Sequence, residues 1–354
     1  MNKHNFSAGP AILPKEVIDG ASKAVQELDN IGLSLIEISH RSAEFKSIME
    51  EACTLSLKLL GLQGKGYQAM YLQGGASMQF LMTAYNLLEK KAGYVNSGTW
   101  SSKAIKEAKL LGEVLELASS KDQNFNYIPK DYAIPNDLDY LHITTNNTIY
   151  GTQFQFIPET DVPLIADMSS DIFSRPFDYS KFDMFYAGAQ KNMGPSGVTL
   201  VVIKESSFNK VSRVIPSMLN YEVQSNAGSM FNTPPVFPVY TVLLNLRWIA
   251  KNGGLEGVGS QNVKKAALIY DEIDRNPLFE GFANIEDRSY MNATFNLKDE
   301  SHAELFDPLW NKANIVGLKG HRSVGGYRAS IYNALPIQSI QVLVDRMQEF
   351  ERIA

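Results

Sequence analysis

The stretch AGAQKNMGPSGVTLVV, Ala187–Val202, places a lysine, Lys191, between two apolar runs. The run Phe182–Ala187 reads as a strand entering it, Gly194-Pro195 reads as a turn, and GVTLVVI reads as a strand leaving it. Lysine is seldom buried without a reason. Lys191 is therefore either a solvated loop residue or a chemical group held at the end of a strand. The neighbouring segments carry the choice. Upstream, short strand-like runs alternate with helical ones: YQAMYL precedes SMQFLMTAYNLLEK, and AGYVNSG precedes SSKAIKEAKLLG. EVLELAS, YLHITTN and VPLIADMSS follow as further strands. This rhythm predicts an α/β fold with a mostly parallel sheet covered on both faces.

Two helices precede that region. Val17, Ile18, Ala21, Ala24, Val25 and Leu28 keep helical spacing after Pro14, and Phe45 to Leu59 form a second pattern closed by Gly61. From about Asn252 the pattern changes to a long helix through Asp274, then YMNATFNLK, AELFDPLWNKA, VGGYRASIYN and a final helix from about Pro336 to Arg352. The expected division is a large domain over 14–252 and a smaller α+β domain over 253–354, joined by the N-terminal segment 1–13. A chain of 354 residues is long enough for two cores.

Composition removes several function classes. With 44% hydrophobic and 20% charged residues the chain reads as a soluble globular protein. A formal net charge of −5 gives no footprint for nucleic acid. The single cysteine, Cys53, lies in a helical pattern, so neither a disulfide framework nor a cysteine zinc site is available. No signal-peptide h-region and no membrane-length apolar run is present, and a cytoplasmic location is the expectation.

The common nucleotide and metal motifs are absent. GLQGKGYQ lacks the spacing and hydroxyl of a P-loop, no G-x-G-x-x-G opens a helix after a strand, and no H-E-x-x-H occurs. His142, in a strand pattern, reads as a packed residue. LQGGASMQF is a strand-to-helix turn whose glycines and helix N terminus either serve the turn alone or approach a phosphate. Asp167 ends the apolar strand of LIADMSSD, at the kind of rim where parallel sheets place functional groups. An acid and a lysine at one rim suit pyridoxal phosphate, which a lysine holds covalently while an aspartate pairs with its ring nitrogen. Trp100, in NSGTWSS, is a flat aromatic that either stacks on such a ring or fills the core.

The segments NFSAGPAILP, SHRSAEF, GGASMQF, SGTWS, ADMSSDI, GAQKNMGPSGV, FNTPP and GHRSVGGYRASIYNA stand in the order seen in phosphoserine aminotransferases. The chain resembles that family, a class V branch of fold-type I pyridoxal phosphate enzymes, from about Asn5 to Glu351. The resemblance implies a seven-stranded, mostly parallel sheet in the large domain. It assigns the Schiff-base lysine to Lys191, the ring-nitrogen partner to Asp167, the stacking ring to Trp100 and the ring-oxygen partner to Thr148. Ala76, Ser77 and Gln190 match phosphate-cradle positions. Asn232 and Thr233 match residues reaching the cofactor phosphate from a second subunit, which implies a homodimer with shared sites. His40, Arg41, His321, Arg322 and Arg328 match substrate-binding positions. Two departures stand out: many relatives have arginine where this chain has Ser77, and some have serine where it has Ala8.

The implied reaction is ping-pong transfer of an amino group between glutamate and 3-phosphohydroxypyruvate, in serine biosynthesis. Some relatives also serve vitamin B6 synthesis. Arginine forks suit the carboxylates and phosphate of these substrates. Arg328 is expected on the α-carboxylate and the other cations on the distal anion. A serine–pyruvate or alanine–glyoxylate aminotransferase is the runner-up, with less use for five cations. A cysteine desulfurase needs a nucleophilic cysteine on a mobile loop, which Cys53 is not. A silent α/β interaction protein would have no need of Asp167 and Lys191.

Overall fold

Short runs of β-branched and aromatic residues become strands, and the amphipathic runs between them become the helices that cover them. The computed structural model describes residues 3–354. Its strands begin with β1 (His4–Asn5), β2 (Tyr67–Leu72), β3 (Lys91–Asn96), β4 (Glu113–Ser119), β5 (Tyr140–Thr144), β6 (Asn146–Asn147) and β7 (Thr152–Gln153). They continue with β8 (Leu164–Asp167), β9 (Met184–Gly188), β10 (Thr199–Lys204), β11 (Phe279–Gly281), β12 (Asn292–Leu297), β13 (Ile315–Val316) and β14 (Tyr327–Ser330). The helices are α1 (Lys15–Gln26), α2 (Ala43–Leu59), α3 (Gly75–Leu87), α4 (Thr99–Ala108), α5 (Tyr221–Asn226), α6 (Val236–Lys251), α7 (Gly254–Arg275), α8 (Ala303–Lys312) and α9 (Ile337–Ile353).

The central sheet has seven strands in the order β2-β10-β9-β8-β5-β3-β4. Every pairing is parallel except those of β10, which runs antiparallel to both β2 and β9. The Gly194-Pro195 turn thus brings GVTLVVI back into the sheet beside the strand it left. Both faces are dry. On one, Phe45, Ile48 and Met49 of α2 and Leu243 and Leu246 of α6 meet Phe185 and Leu200. On the other, Phe80 and Met82 of α3 and Ile105 of α4 meet Tyr186 and Val201. A strand buried on both faces must be apolar throughout, which is why β8, β9 and β10 read as continuous hydrophobic runs.

A second core lies on a three-stranded antiparallel sheet, β11-β12-β14, covered by α7, α8 and α9. Chain order alone would not assign Phe6 to it, yet Phe6 is fully buried there, and β1 pairs in parallel with β13. The proposed division after residue 252 runs between α6 and α7. The first turns of α7 nevertheless belong to the large core through Leu255 and Val258, whereas Ala266, Ile269 and Ile273 belong to the small one. A buried polar seam joins the two: Asn146 donates to Asn292 at 2.8 Å, Ser289 donates to Asn146 at 2.5 Å, and Thr294 donates to the Tyr150 carbonyl at 2.8 Å. No helix among the described residues is long and apolar enough to cross a membrane.

If the N-terminal segment is part of the smaller core, Phe6→Ala opens a cavity there and costs about 3–5 kcal/mol. The expected result is a clear fall in the unfolding midpoint in chemical denaturation. A midpoint equal to the parent's would separate residues 3–13 from that core, Met1 and Asn2 lying outside the described residues.

Candidate active site

At the C-terminal rim of the parallel strands β8 and β9, the sequence supplies one charge of each sign. Asp167 is the last residue of β8, and its carboxylate, 4% exposed, accepts from the Ser169 backbone N–H at 2.9 Å. Lys191 follows β9, the next strand in the sheet, and donates from Nζ to Thr148 Oγ1 at 2.7 Å. Burial pushes the Lys191 ammonium down to about 8, the Asp167 carboxylate pulls it up, and the Arg328 guanidinium pushes it down again. Burial likewise raises Asp167 above the ordinary carboxylate range, against the charge of Lys191 and the bond from Ser169. The two groups need each other: each offsets part of the other's desolvation.

They line a cavity of about 450 Å³. Its walls include Ala76, Ser77, Trp100, Thr148, Gln190, His321 and Arg328. Gly74 turns the chain with φ of +97° into α3, whose N terminus carries no side-chain cap, and a Cβ on Gly75 would enter open space. The free N–H groups of this first turn face an anion-sized opening, the arrangement that binds phosphate. Across the cavity, Asn96 fixes the start of α4 by accepting from Ser101 and Ser102 at 2.9 and 2.8 Å. This holds Trp100 with its ring centroid 5.4 Å from Lys191 Nζ. The cavity therefore offers an amine, a carboxylate, a flat aromatic wall and an uncapped helix N terminus, the donor set that pyridoxal phosphate requires.

Arg328, on β14 of the small sheet, lines the same cavity and reaches the Thr148 carbonyl at 3.4 Å. Its Nε is buried without a partner, and Arg328 and Arg322 form no ion pair among the described residues. Arg322 itself is exposed and does not line the cavity. His40 and Arg41 stand just before α2, outside it. Asn232 lines a separate apolar groove that shares only Gly74 with the main cavity, and the Thr233 carbonyl accepts from Gln73 at 2.7 Å. Nine of the expected positions thus divide from five in this chain: Ala76, Ser77, Trp100, Thr148, Asp167, Gln190, Lys191, His321 and Arg328 line the cavity, and His40, Arg41, Asn232, Thr233 and Arg322 do not.

Reading by motif missed Gly9, Ile149 and Ser169, which line the cavity beside Ala8. Gly9, at φ of +144°, packs so close that a Cβ would lie 3.3 Å from Lys191 Cγ. Its signal was the SAGP run, legible only through resemblance. Ser169 also accepts from the Gly188 N–H at 3.1 Å, tying the ends of β8 and β9 together. His142 is packed, as expected. It stacks on Tyr94, shares a hydrogen bond with Tyr186 at 2.8 Å, and burial pushes its imidazole down to about 3.

Residues 3–343 match the family model of class-V aminotransferases. The chain belongs to that family. It is 62% identical to the phosphoserine aminotransferase of Flavobacterium johnsoniae over 353 residues, 99% of each chain. It is 54% identical to that of Bacteroides thetaiotaomicron over the full length of both. Among solved structures, the phosphoserine aminotransferase from Bacillus circulans subsp. alkalophilus superimposes with a TM-score of 0.96 at 46% identity, covering 99% of each chain. A PLP-bound phosphoserine aminotransferase from Trichomonas vaginalis gives a TM-score of 0.92 at 34% identity, covering 98% of this chain and 100% of that one. Against these class-V aminotransferases the seven-stranded sheet and the smaller C-terminal sheet are the expected fold.

The Asp167–Lys191 pairing fixes a sign. In the cofactor-free protein the carboxylate stabilises the ammonium, so Asp167→Asn should move the Lys191 titration below about 8. The pH midpoint for labelling Lys191 with an amine-reactive reagent, read by mass spectrometry, should fall. A midpoint that stays or rises would break the electrostatic link.

Proposed function

We propose that this class-V aminotransferase is a phosphoserine aminotransferase using pyridoxal phosphate, exchanging an amino group between glutamate and 3-phosphohydroxypyruvate. The observation that carries the reading is the convergence of Lys191, Asp167 and Trp100 with the His321 imidazole and the unpaired Arg328 guanidinium in one cavity. The relatives named phosphoserine aminotransferase, at up to 62% identity, support the substrate class.

When bound, the cofactor supplies an electron-withdrawing ring conjugated to the substrate nitrogen. The residues that would hold it are Lys191 by a covalent bond, Asp167 at the ring nitrogen, Thr148 at the ring oxygen and Trp100 against the ring face. Ala76, Ser77 and Gln190 would take its phosphate, joined by Asn232 and Thr233 of a second copy. Once its amine is free, Lys191 takes the Cα proton of the amino substrate as general base. An amine depressed to about 8 exchanges protons readily near neutral pH. Arg328, which lines the cavity without an ion-pair partner among the described residues, clamps the α-carboxylate that both substrates share. His321 and Arg322 hold the distal anion.

His40 and Arg41 are assigned to the same anion across an assembly of two copies, since they stand outside the cavity of their own chain. Leu33 and Ile36, 50% and 63% exposed in the same loop, and the exposed Met78, Met218 and Phe231 beside the Asn232 groove support a covered face there. The proposal therefore includes a homodimer, cytoplasmic, serving serine biosynthesis. Vitamin B6 synthesis, whose oxo precursor carries a comparable phosphate, is a further use of the same pocket.

The deciding experiment is a coupled assay of glutamate with 3-phosphohydroxypyruvate against unphosphorylated oxo acids, in which the phosphorylated acid should be strongly preferred. Lys191→Ala should lose near-visible absorbance and transamination together, whereas near-parental turnover would remove Lys191 from its role. Arg328→Ala should lower kcat/KM in both half-reactions by about ten-fold or more. A defect confined to the phosphorylated substrate would reassign it. Sedimentation should give the mass of two chains, and a monomer with full activity would refute the shared site.

A further inference from the structure

Trp100 carries a cation from its own helix. Lys103, one turn along α4, holds Nζ 4.5 Å from the Trp100 ring centroid. Residues three apart share a helix face, so the ring that borders the cavity and the lysine are delivered together. Lys103 is exposed and makes no ion pair and no side-chain hydrogen bond among the described residues. Glu107 stands four residues on along the same helix, yet no ion pair forms between them. Lys103 rests on an aromatic face at the cavity wall, where a cation–π contact holds it.

Its field reaches the wall formed by the small domain. The His321 imidazole is held below its ordinary value first by burial, then by the charges of Arg328, Arg322 and Lys103. Lys103, on α4 of the large domain, therefore stands within electrostatic range of His321. In that domain the phosphate-cradle residue Ser77 brings no charge. The two substrates differ at their distal end: one carries a phosphate dianion, the other a single carboxylate. An extra mobile point charge favours the dianion, because the Coulomb attraction doubles while the cost of ordering the side chain is unchanged.

We propose that Lys103 is a specificity-determining contact that leaves the face of Trp100 to bind the distal phosphate of the phosphorylated substrate, making little difference to glutamate. This rests on the phosphoserine aminotransferase reading above. The test uses the holoenzyme with Lys103→Ala and Lys103→Arg, and inorganic phosphate as a competitive probe. For Lys103→Ala the expected result is a KM for 3-phosphohydroxypyruvate and an inhibition constant for phosphate each raised about ten-fold, with kcat and the glutamate KM changed far less. Lys103→Arg should recover most of the loss, and the unfolding midpoints of all three proteins should agree. Parental constants in Lys103→Ala, or an equal loss toward glutamate, would overturn the proposal. A parent inactive on the phosphorylated oxo acid would instead refute the functional reading, and phosphate binding would still decide for or against Lys103.

Discussion

A lysine ammonium and an aspartate carboxylate cannot both leave water at the rim of an apolar sheet unless they do so together. Asp167 ends β8 and Lys191 follows β9, and these strands are parallel neighbours, so both groups arrive at one edge. The antiparallel return of β10 then encloses the loop that carries the lysine. Ser169 spans the gap, donating its N–H to Asp167 and accepting from Gly188. Each element around the site, from the helix N terminus at Gly75 to the ring of Trp100, is arranged about this pair.

The smaller core is tied to that rim by hydrogen bonds rather than by apolar contact alone. Lys265 of α7, 2% exposed, donates to the carbonyls of Ile331 and Tyr332 at 2.9 and 2.6 Å, in the segment after the strand that bears Arg328. Burial pushes Lys265 down to about 7. Asn333 next to it donates its N–H to Asn192 at 3.0 Å, and Asn192 adjoins Lys191. Tyr332 donates to the Ala8 carbonyl at 2.8 Å, fixing the N-terminal turn that packs on Lys191. The carboxylate clamp and the amine are thereby held in one frame, although 137 positions separate them in the chain (328 − 191).

Charge is distributed unevenly for a protein of net −5. Some surface cations are paired, as Arg247 is with Glu51 and Arg288 with Asp274. Arg328 in the cavity, Arg322 beside His321 and Lys103 on the Trp100 ring form no ion pair among the described residues. Unpaired cations beside a concave site are a standing attraction for small polyanions, and they cost stability when the site is empty. That cost is consistent with a pocket that must take two differently charged acids in turn.

Much of this was legible along the chain. Strands buried on both faces announce themselves as apolar runs, so β5 and β8 to β10 could be placed, and Asp167 and Lys191 stood at the ends of two of them, whereas β4, at the sheet edge, buries no residue. α6 gave no such signal: Val239, Leu243 and Leu246 are accompanied by buried Thr241 and Asn245, so its pattern has little contrast between faces. β1 and β13 are two-residue strands, too short for any periodicity. The sequence by itself determined the sheet and set an acid and an amine at the ends of two of its strands, because these follow from local pattern and side-chain chemistry, while it left Trp100 open between core and cavity wall. Only the tertiary structure decided that Gly9 packs on Lys191 and that His40, Arg41, Asn232 and Thr233 stand away from their own cavity. Those are distances across space, and spacing along a chain encodes them only where one helix or strand carries both residues.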